Sequence, residues 1–547
     1  MNRDRHSDAE TNHTQGLLQG PSTPCGHRFP SRSSARFGHL SLSRLVLGLT
    51  VIAAILAGCG APRTESRKES APPQPLHETV FLDSLEAKTF RFFWDHTAPE
   101  SGLSPDRYPT ESFVSVAASG FALTAYPIGA ERGYVTREQA AERVRSALDY
   151  FLQAPQGDTP AGTIGYRGFF YHFLHPEDGT RFETVELSTV DTALFLAGAL
   201  FCQSYFDGPS ETEREIRALA DSLYFRVEWD WATPRPPLVS HGWKPEEGHL
   251  PYDWGGYSEA SILYVLALAS PTHPIPANCW EDGWTQGYNW GSYYGQEHLG
   301  FSPLFGHQYS HVWIDFRGIQ DRYMRAKGID YFENSRRAVL AQRAYAIENP
   351  NQWVGYGERM WGLTACDGPL HTEQTVLGTP RQFETYWARG ASFTYVNDDG
   401  TIAPTAMAAS LPFAPEVVVP DLLAMYEDHP HVWSDYGFLD AFNPSFDFEI
   451  PVQHGRVVPG RGWVDTDYLG IDQGPIVAMI ENYRTGLVWE YMKRNPHIVR
   501  GLRAAGFTGG WLEEAASGSG AAREPGGSKD PRSPGEPGTP VPTGDGR

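Results

Sequence analysis

The sequence predicts an all-α domain built as a closed ring of helical hairpins. Helical segments that are apolar on nearly every side alternate along the chain with amphipathic segments. A helix inside a ring is covered on both sides, whereas an outer helix has one face in water, so this alternation is typical of an all-α barrel. Few runs favour β structure, and the best are VEWDWAT (227–233) and FTYVND (393–398). No repeat of fixed period indicates an open solenoid.

The predicted helices alternate between an inner and an outer position. The first, 80–97, places its apolar residues along one face. Thr136 is the expected N-cap of a later helix, with Glu138 in its first turn. The apolar, inner helices are 112–130, 186–206 and 258–270, and the amphipathic, outer ones are 136–154 and 210–227.

Composition narrows the possible partners of this 547-residue chain. The formal net charge is −22, which argues against nucleic acid as a partner because phosphate binding needs a basic surface. The chain is rich in aromatic residues, which fit either a protein core or a site that stacks sugar rings. The loop 279–300, CWEDGWTQGYNWGSYYGQEHLG, exceeds the usual connection length, so we expect it to be functional. No cofactor is expected, and the chain is expected to act as a monomer.

The two ends of the chain differ from the middle. Arginines precede the apolar run 45–56, which is too short to span a membrane comfortably but fits a signal peptide, and the run ends in LAGC. This motif resembles the bacterial lipobox, so we expect a signal peptide over 1–59 and a lipid on Cys59. Residues 60–79 form a predicted flexible tether, 80–510 one large domain, and 516–547 a disordered tail. The expected location is the bacterial periplasm or outer membrane, with membrane contact only through the lipid.

The remaining cysteines predict no metal site. Cys202 lies in an apolar helix and is expected in the core. Cys279 and Cys366 lie in loops and could pair in an oxidising compartment, although their spacing does not decide it. His307 and His311 are four residues apart, yet no Glu stands between them and no third ligand is apparent. Core packing or a sugar hydroxyl is the favoured partner of these histidines.

Carboxylates recur in aromatic or Gly-rich settings, before apolar helices or at loop tips. Burying a carboxylate is costly unless it is paired, and several at one end of a barrel would have raised pKa values suited to acid/base chemistry. Glycoside hydrolysis needs such a pair. The alternative for each residue is a helix cap or a buried ion pair. The candidates are Asp191, Glu259, Asp315, Asp440, Asp467 and Asp472.

Glu259 has the most informative setting. The stretch YDWGGYSEASILYVLALASP (252–271) joins an aromatic, Gly-rich turn to an apolar helix. Ser258 is the expected N-cap, so Glu259 is expected in the first turn, where a Glu also matches the helix dipole. Neither GxSxG nor a P-loop is found, which favours glycan chemistry over serine hydrolysis or nucleotide binding.

Eight motifs occur in an order that resembles a known family. They are FRFFWDHTAPESGLSPDR, ELSTVDTALFLAGAL, GYSEASILYVLALASPTHP, SHVWIDFRGIQDRY, GLTACDGP, APTAMAASLPFAPE, YGFLDAFNP and YLGIDQGPIVAMIENYRTGLVWEYM. Together they resemble the bacterial glucoamylase-like domain whose members include endo-β-1,2-glucanases. The resemblance covers 80–507. It implies an (α/α)6 barrel with long aromatic loops at the active-site end and inverting hydrolysis of β-1,2-glucan.

The resemblance also implies roles for particular residues. Glu259 matches the general-acid candidate of the family, and Asp440 is the first choice of base, with Asp472 and Asp467 as alternatives. The implied substrate-binding residues are Asp106, Arg107, Asp191, Trp254, Tyr257, His311, Trp313, Asp315 and Arg317.

Two other function classes stay open at this point. One is a glycan-binding lipoprotein without catalysis, although a binder need not retain both Glu259 and Asp440. The other is a transferase or phosphorylase acting on β-glucans.

Replacing Cys59 tests the predicted lipid anchor. Cys59→Ala removes the thiol that would carry the lipid, so we expect the variant to leave the membrane fraction or to remain unprocessed. Fractionation and mass spectrometry of the mature N-terminus measure this. A wild-type protein that fractionates with soluble periplasmic proteins and carries no lipid would show the prediction to be wrong.

Overall fold

The computed structural model describes residues 76–513. The signal peptide predicted over 1–59, the tether as far as 75 and the tail predicted over 516–547 lie outside the described residues, as does Cys59. The helices are α1 (Leu76–His96), α2 (Val116–Glu131), α3 (Arg137–Gln153), α4 (Thr189–Tyr205), α5 (Glu211–Phe225), α6 (Ser261–Ala269), α7 (Tyr309–Trp313), α8 (Arg322–Lys327), α9 (Tyr331–Glu348), α10 (Pro404–Ala408), α11 (Pro415–Asp428), α12 (Gly470–Arg484), α13 (Leu487–Met492) and α14 (Pro496–Ala504).

These helices form the predicted (α/α)6 barrel. The inner helices α2, α4, α6, α7, α10 and α12 are buried over most of their length. The helices α3 and α5 bury only one face, as expected of an outer layer. The inner ring is also joined by hydrogen bonds: Gln308, just before α7, donates to the Ala406 carbonyl in α10 at 2.8 Å.

Local sequence explains where several helices begin. Thr136 caps α3 and forms a reciprocal capping box with Gln139, which confirms the predicted start. Ser115 and Ser188 cap the inner helices α2 and α4. The start of α6 corrects our expectation: Ala260 is its N-cap and makes no side-chain capping bond. Glu259 therefore lies in the turn before the helix and not in its first turn.

Short strands in the loops are more numerous than the sequence predicted. They are β1 (Arg107–Tyr108), β2 (Val114–Ser115), β3 (Gly165–Tyr166), β4 (Phe169–Tyr171), β5 (Phe173–Leu174), β6 (Leu187–Ser188), β7 (Gly242–Lys244), β8 (Gly248–His249), β9 (Trp290–Tyr293), β10 (Gln296–Leu299), β11 (Ala365–Cys366), β12 (Thr372–Val376), β13 (Thr379–Phe383), β14 (Trp387–Ala388), β15 (Gly390–Ala391), β16 (Val396–Asn397), β17 (Trp433–Ser434), β18 (Gly437–Phe438), β19 (Phe442–Asn443), β20 (Arg456–Val458), β21 (Gly462–Val464) and β22 (Tyr468–Leu469).

Two pairings of these strands matter for the site. The largest sheet has the order β3-β4-β6-β7-β8 and leads into α4 through β6. The antiparallel pair β1–β22 aligns Arg107 with Leu469 and so joins the loop after α1 to the start of α12. Both strand predictions were poor: 227–233 forms no strand, and 393–398 contains only β16.

The loop 279–300 packs more than expected. Trp280 and Trp284 lie in short helical turns with almost no exposed surface, and Trp280 donates a hydrogen bond to Asp321 at 2.8 Å. Much of its aromatic content therefore belongs to the core. Cys202, Cys279 and Cys366 are buried free thiols, so Cys279 and Cys366 do not pair. Over residues 76–513, no helix is long and apolar enough to span a membrane.

The close approach of α2 and α4 can be tested by adding one methyl group. A Cβ on Gly198 would lie 2.2 Å from the Gly120 carbonyl oxygen, which belongs to the backbone of α2 and cannot rotate away. We expect Gly198→Ala to lower the free energy of unfolding by about 1–3 kcal/mol through overpacking. Chemical denaturation measures this.

Gly157→Ala is the control, because its Cβ would meet only the Thr163 methyl group at 3.4 Å, an ordinary contact. Equal stabilities of the two variants would contradict the close approach of α2 and α4.

Candidate active site

Carboxylates gather where the inner helices begin. Thr405, in the first turn of α10, donates to the Asp472 carbonyl in the first turn of α12 at 2.9 Å. The Gly470 amide donates to the Asp106 carbonyl at 2.7 Å. Asp191 lies in the first turn of α4, and its charge raises the pKa of Glu259. One end of the barrel thus brings together candidates that are far apart in the sequence.

Glu259 is held in place by its backbone, while one carboxyl oxygen is left without a partner. Ser310 donates to the Glu259 carbonyl at 2.6 Å, and the Ile262 amide donates to the Ser310 hydroxyl at 2.9 Å. The Oε2 atom is buried without a hydrogen-bond partner among the described residues. Burial is the main cause that raises the pKa of Glu259 to about 7, with a smaller contribution from Asp191. Such a carboxyl can hold a proton near neutral pH and release it.

Asp440 and Asp472 form a tightly coupled buried pair. Both have about 2% of their surface exposed, and their carboxyl groups lie within hydrogen-bonding reach of each other. The Asp367 amide donates to Asp440 Oδ2 at 2.8 Å. Burial raises both pKa values, that of Asp440 further through its repulsion with Asp472. The pair therefore retains one shared proton near neutral pH, with one member ionised.

Arg107 lies among further carboxylates beside this pair. Its Nη1 atom donates to Asp367 Oδ2 at 2.6 Å and lies 3.9 Å from Asp467 Oδ2, while its Nε donates to Asp106 at 3.4 Å. Burial still raises the pKa of Asp106, although the Arg107 charge opposes it. Asp465 is buried too, and its pKa is raised well above the usual range by burial and by Asp367. Arg107 therefore neutralises only part of this negative charge.

Asp191 has a local network of its own. Ser188 donates a short hydrogen bond to it, and its Oδ2 lies 3.6 Å from His172 Nε2. Burial lowers the pKa of His172, but Asp191 and Glu186 outweigh this effect and raise it to about 9. The Trp254 ring stacks on the His241 ring with a centroid distance of 3.8 Å. Its indole N–H donates to the Thr189 hydroxyl at 3.0 Å, which connects the turn before Glu259 to the start of α4.

Five of the predicted substrate-binding residues make contacts within the protein, and their predicted role stays a prediction. Tyr257 is buried on the Tyr331 ring, and His311 bonds Ser335 at 3.0 Å. Trp313 is fully buried and donates to Thr124 at 3.0 Å. These three side chains are packed against other parts of the protein.

Asp315 and Arg317 form an ion pair beyond the C-terminal end of α7. Their Oδ1–Nε distance is 2.7 Å, Lys493 lies 2.8 Å from the same carboxylate, and the guanidinium lies over the Trp489 ring. The carboxylate of Asp315 is therefore engaged by two cations, whereas Glu259 contacts Ser310 near the start of α7. His307, four residues before His311, is also buried, and burial lowers the pKa of both histidines to about 3.

Sequence reasoning missed five residues of the site. Asp367 follows the buried strand β11 in the motif GLTACDGP, so an acidic residue after an apolar strand was the signal that could have found it. Asp465 is two residues before Asp467. Tyr309, Tyr386 and Tyr395 carried no signal. Tyr395 is 40% exposed. Burial raises its pKa, a hydrogen bond with Ser302 lowers it, and the Glu259 charge raises it again, which indicates an aromatic side chain close to the acid.

The arrangement is suited to proton transfer at a neutral, hydroxyl-rich substrate. It offers one carboxyl with a pKa near neutrality, a carboxyl pair with one ionised member, and tyrosine hydroxyls between them. Oxygens of Asp367, Asp440 and Asp465 also lie within 4.8 Å of one another, a spacing that could hold a cation.

Comparison with known proteins places the chain in a family. The Glycoamylase family model, described as "Putative glucoamylase", matches residues 251–496. An endo-β-1,2-glucanase from Chitinophaga pinensis, whose structure contains sophorotriose and glucose, is 30% identical with a TM-score of 0.67; the match covers 80% of this chain and all of that one. This chain belongs to the glucoamylase-like family of glycoside hydrolases.

A second relative in the glucoamylase-like family is larger. The exo β-1,2-glucooligosaccharide sophorohydrolase of Parabacteroides distasonis is 30% identical over 477 residues, which are 80% of this chain and 59% of that protein. A β-1,2-glucanase structure from the same organism is 28% identical with a TM-score of 0.66, and the match covers 80% of this chain and 61% of that one. The family match includes Glu259, Asp440, Asp467 and Asp472, whereas Asp106, Arg107 and Asp191 precede it.

The raised pKa of Glu259 predicts a pH-dependent effect on stability. The folded protein binds the proton more tightly than the unfolded chain, so stability is lost as pH rises from the ordinary value of 4.5 to about 7 and then stays low. We expect Glu259→Gln, which is neutral at every pH, to be at least about 1 kcal/mol more stable than wild type at pH 8 and not at pH 4.

Chemical denaturation of both proteins at the two pH values measures this difference. Equal stability at pH 8 would mean that the Glu259 carboxyl is not desolvated.

Proposed function

We propose that this chain is a glycoside hydrolase that cleaves β-1,2-glucan by an inverting acid/base mechanism. The observation that carries the proposal is the buried Glu259 carboxyl, with a pKa of about 7, at the same end of the barrel as the Asp440–Asp472 pair. One group is suited to donate a proton and the other to accept one, which is what glycosidic bond cleavage requires.

Glu259 acts as the general acid in this proposal. Its buried, unpartnered Oε2 is free to donate a proton to the glycosidic oxygen as the bond to the anomeric carbon breaks. The proton leaves with the departing sugar, and Glu259 becomes an anion. Tyr395, beside it, offers a partly exposed ring for the apolar face of a sugar.

The Asp440–Asp472 pair supplies the base. Its ionised member accepts a proton as water attacks the anomeric carbon from the opposite face, which inverts a β linkage into an α product. The shared proton keeps one carboxyl neutral and thereby lets the other remain charged in a buried place. Asp467 is less suited to this role, because its Oδ1 accepts from the Thr110 amide at 3.0 Å and its Oδ2 faces Arg107 at 3.9 Å. Asp440 and Asp472 each keep one oxygen without a hydrogen-bond partner among the described residues.

Two arguments favour hydrolysis over the other classes. A phosphorylase must bind a phosphate anion, but here a cluster of buried carboxylates faces Arg107, whose charge Asp367 already engages at 2.6 Å. A non-catalytic binder gains nothing from a buried, unpartnered carboxyl, which costs stability. The choice of a β-1,2 linkage is supported by the two 30%-identical relatives, which are both named for action on β-1,2-glucans.

The proposed location follows from the sequence alone. The apolar run 45–56 and the LAGC motif support a lipoprotein anchored through Cys59 on the periplasmic side of a membrane or in the outer membrane. A lipid-anchored hydrolase would meet glucan outside the cytoplasm.

The test is incubation of the wild-type protein with linear β-1,2-glucan. We expect shorter oligosaccharides by size analysis, and an α-anomeric first product by proton NMR. Glu259→Gln, Asp440→Asn and Asp472→Asn should each lower turnover by about 10²-fold or more, since each removes a proton-transfer group. A β-anomeric first product would exclude inversion, and a sugar phosphate formed in phosphate buffer would indicate a phosphorylase.

Glu86→Gln is a matched control. Glu86 is fully buried and its pKa is raised to about 8, but it contacts Arg132 and Arg484, at the C-terminal ends of α2 and α12. We expect its turnover to stay within about two-fold of wild type. Near-normal turnover of Glu259→Gln would remove Glu259 from the mechanism.

A further inference from the structure

Tyr309 is a buried phenol whose hydroxyl the fold leaves unused. It is 5% exposed, and over residues 76–513 its hydroxyl makes no hydrogen bond. The hydroxyl is also not among the polar atoms that are fully enclosed without a partner, so it keeps access to solvent. Tyr224, by contrast, is fully buried and donates to the Leu266 carbonyl at 2.7 Å. The Tyr309 hydroxyl is therefore free to bind a molecule that reaches it.

On one side, Tyr309 adjoins the support of the proposed acid. The next residue, Ser310, donates to the Glu259 carbonyl at 2.6 Å and accepts from the Ile262 amide at 2.9 Å. Tyr309 is thus one residue away from the contact that fixes the turn carrying Glu259. A shift of Tyr309 along α7 would also move Ser310.

On the other side, Tyr309 reaches the helix that carries Asp472. Its ring packs on Phe121 with a centroid distance of 5.7 Å. The Phe121 ring in turn fills the space above Gly474, where a Cβ would lie 2.1 Å from the ring, and Gly474 is two residues after Asp472. Gln308, the residue before Tyr309, donates to the Ala406 carbonyl in α10 at 2.8 Å. The phenol is therefore held between the acid and the base pair.

The charges around the phenol agree with this placement. Burial raises the pKa of Tyr309, and Asp472, Tyr386, Glu259 and Asp440 raise it further, in that order. The hydroxyl therefore stays protonated and is a hydrogen-bond donor. Because no described residue accepts from this hydroxyl, a molecule that enters the site can supply the acceptor.

We propose that the Tyr309 hydroxyl donates a hydrogen bond to an oxygen of the sugar bound between Glu259 and the Asp440–Asp472 pair. It is thereby a substrate-contacting residue of the reaction, and this role rests on the proposed function. The bond fixes the ring that carries the anomeric carbon, so that the acid meets the glycosidic oxygen and the base meets the attacking water. No covalent step passes through the phenol.

The experiment measures binding separately from turnover. Linear β-1,2-gluco-oligosaccharides are titrated by calorimetry into Glu259→Gln and into Glu259→Gln/Tyr309→Phe, since the first change prevents cleavage. We expect the second protein to bind at least about five-fold more weakly, the size of one hydrogen bond to a buried neutral partner. In the otherwise wild-type background, Tyr309→Phe should lower kcat/KM by about ten-fold or more.

Thermal unfolding separates this role from a structural one. Tyr309→Phe keeps the ring on Phe121 and removes an unpartnered hydroxyl, so its melting temperature should equal or exceed that of wild type. Tyr224→Phe is the control: it loses a hydrogen bond in the outer layer, so it should melt lower while binding and turnover stay unchanged.

The outcomes distinguish the two proposals. If wild type cleaves β-1,2-glucan and Tyr309→Phe binds and turns over normally, the inference is overturned and the proposed function stands. A lowered melting temperature with unchanged oligosaccharide affinity also overturns it, in favour of a packing role. If wild type neither binds nor cleaves β-1,2-glucan, both proposals fail together.

Discussion

The ion pair between Arg107 and Asp367 is the contact on which the acid end of the barrel depends. Arg107 is fixed by the pairing of β1 with β22, which also leads into the first turn of α12. The Asp367 amide holds Asp440, while its carboxylate holds Arg107 at 2.6 Å. Asp367 thus orients Asp440, a member of the proposed base pair, and also binds Arg107, the cation that offsets part of the negative charge of this cluster. Removing either partner would leave an uncompensated buried charge, a costly defect in a protein interior.

The far end of the barrel shows the same residue types beside a larger number of cations. Glu86 is buried there beside Glu481, as Asp440 is beside Asp472. Two arginines, Arg132 and Arg484, reach Glu86, so the cluster joins α1, α2 and α12. One Glu86 oxygen also lacks a hydrogen-bond partner, but at the acid end several carboxyl groups share this property within the described range, among them Glu259, Asp440, Asp465 and Asp472. The cation beside them, Arg107, is already engaged by Asp367 at 2.6 Å. A concentration of carboxyl groups with raised pKa values is typical of catalytic sites, although structural clusters such as that of Glu86 also raise pKa values.

The sequence could predict the ring of helices because periodicity is a local property. Thr136 and its amphipathic helix could be predicted because the capping residue and the spacing of the apolar residues are both local features of the sequence. The two-residue strands escaped prediction because distant chain segments create them, as when Arg107 pairs with Leu469. For the same reason 227–233, which is rich in β-forming residues, folds into turns.

The candidate site was predictable only where an acidic residue stands out from its neighbours. Glu259 and Asp440 did so, each beside aromatic or glycine residues, and a resemblance to a family strengthened the choice. The buried contacts of His311 and Trp313 could not be predicted, because a polar or aromatic residue near a motif has the same local pattern whether its side chain points into a cleft or into the core. Tyr309 and Tyr386 could not be predicted as site residues, because nothing local distinguishes one tyrosine from another in a sequence rich in aromatic residues. Only the fold shows which hydroxyl lacks a partner.

The inner ring also explains why the proposed acid and base keep different surroundings. Glu259 lies in the turn before α6 and Asp472 in the first turn of α12, so the two are carried by separate inner elements. Each is fixed by its own backbone contact, Ser310 to Glu259 on one side and Thr405 to Asp472 on the other. Burial is the main cause that raises the pKa of the acid and of both members of the pair, and the pKa of Asp440 is raised further by its repulsion with Asp472. If the two groups could approach freely, they would titrate together and share protons as Asp440 and Asp472 do. The rigid separation of the helix starts keeps one group as a donor while the other accepts, and this division of roles is what an inverting reaction needs.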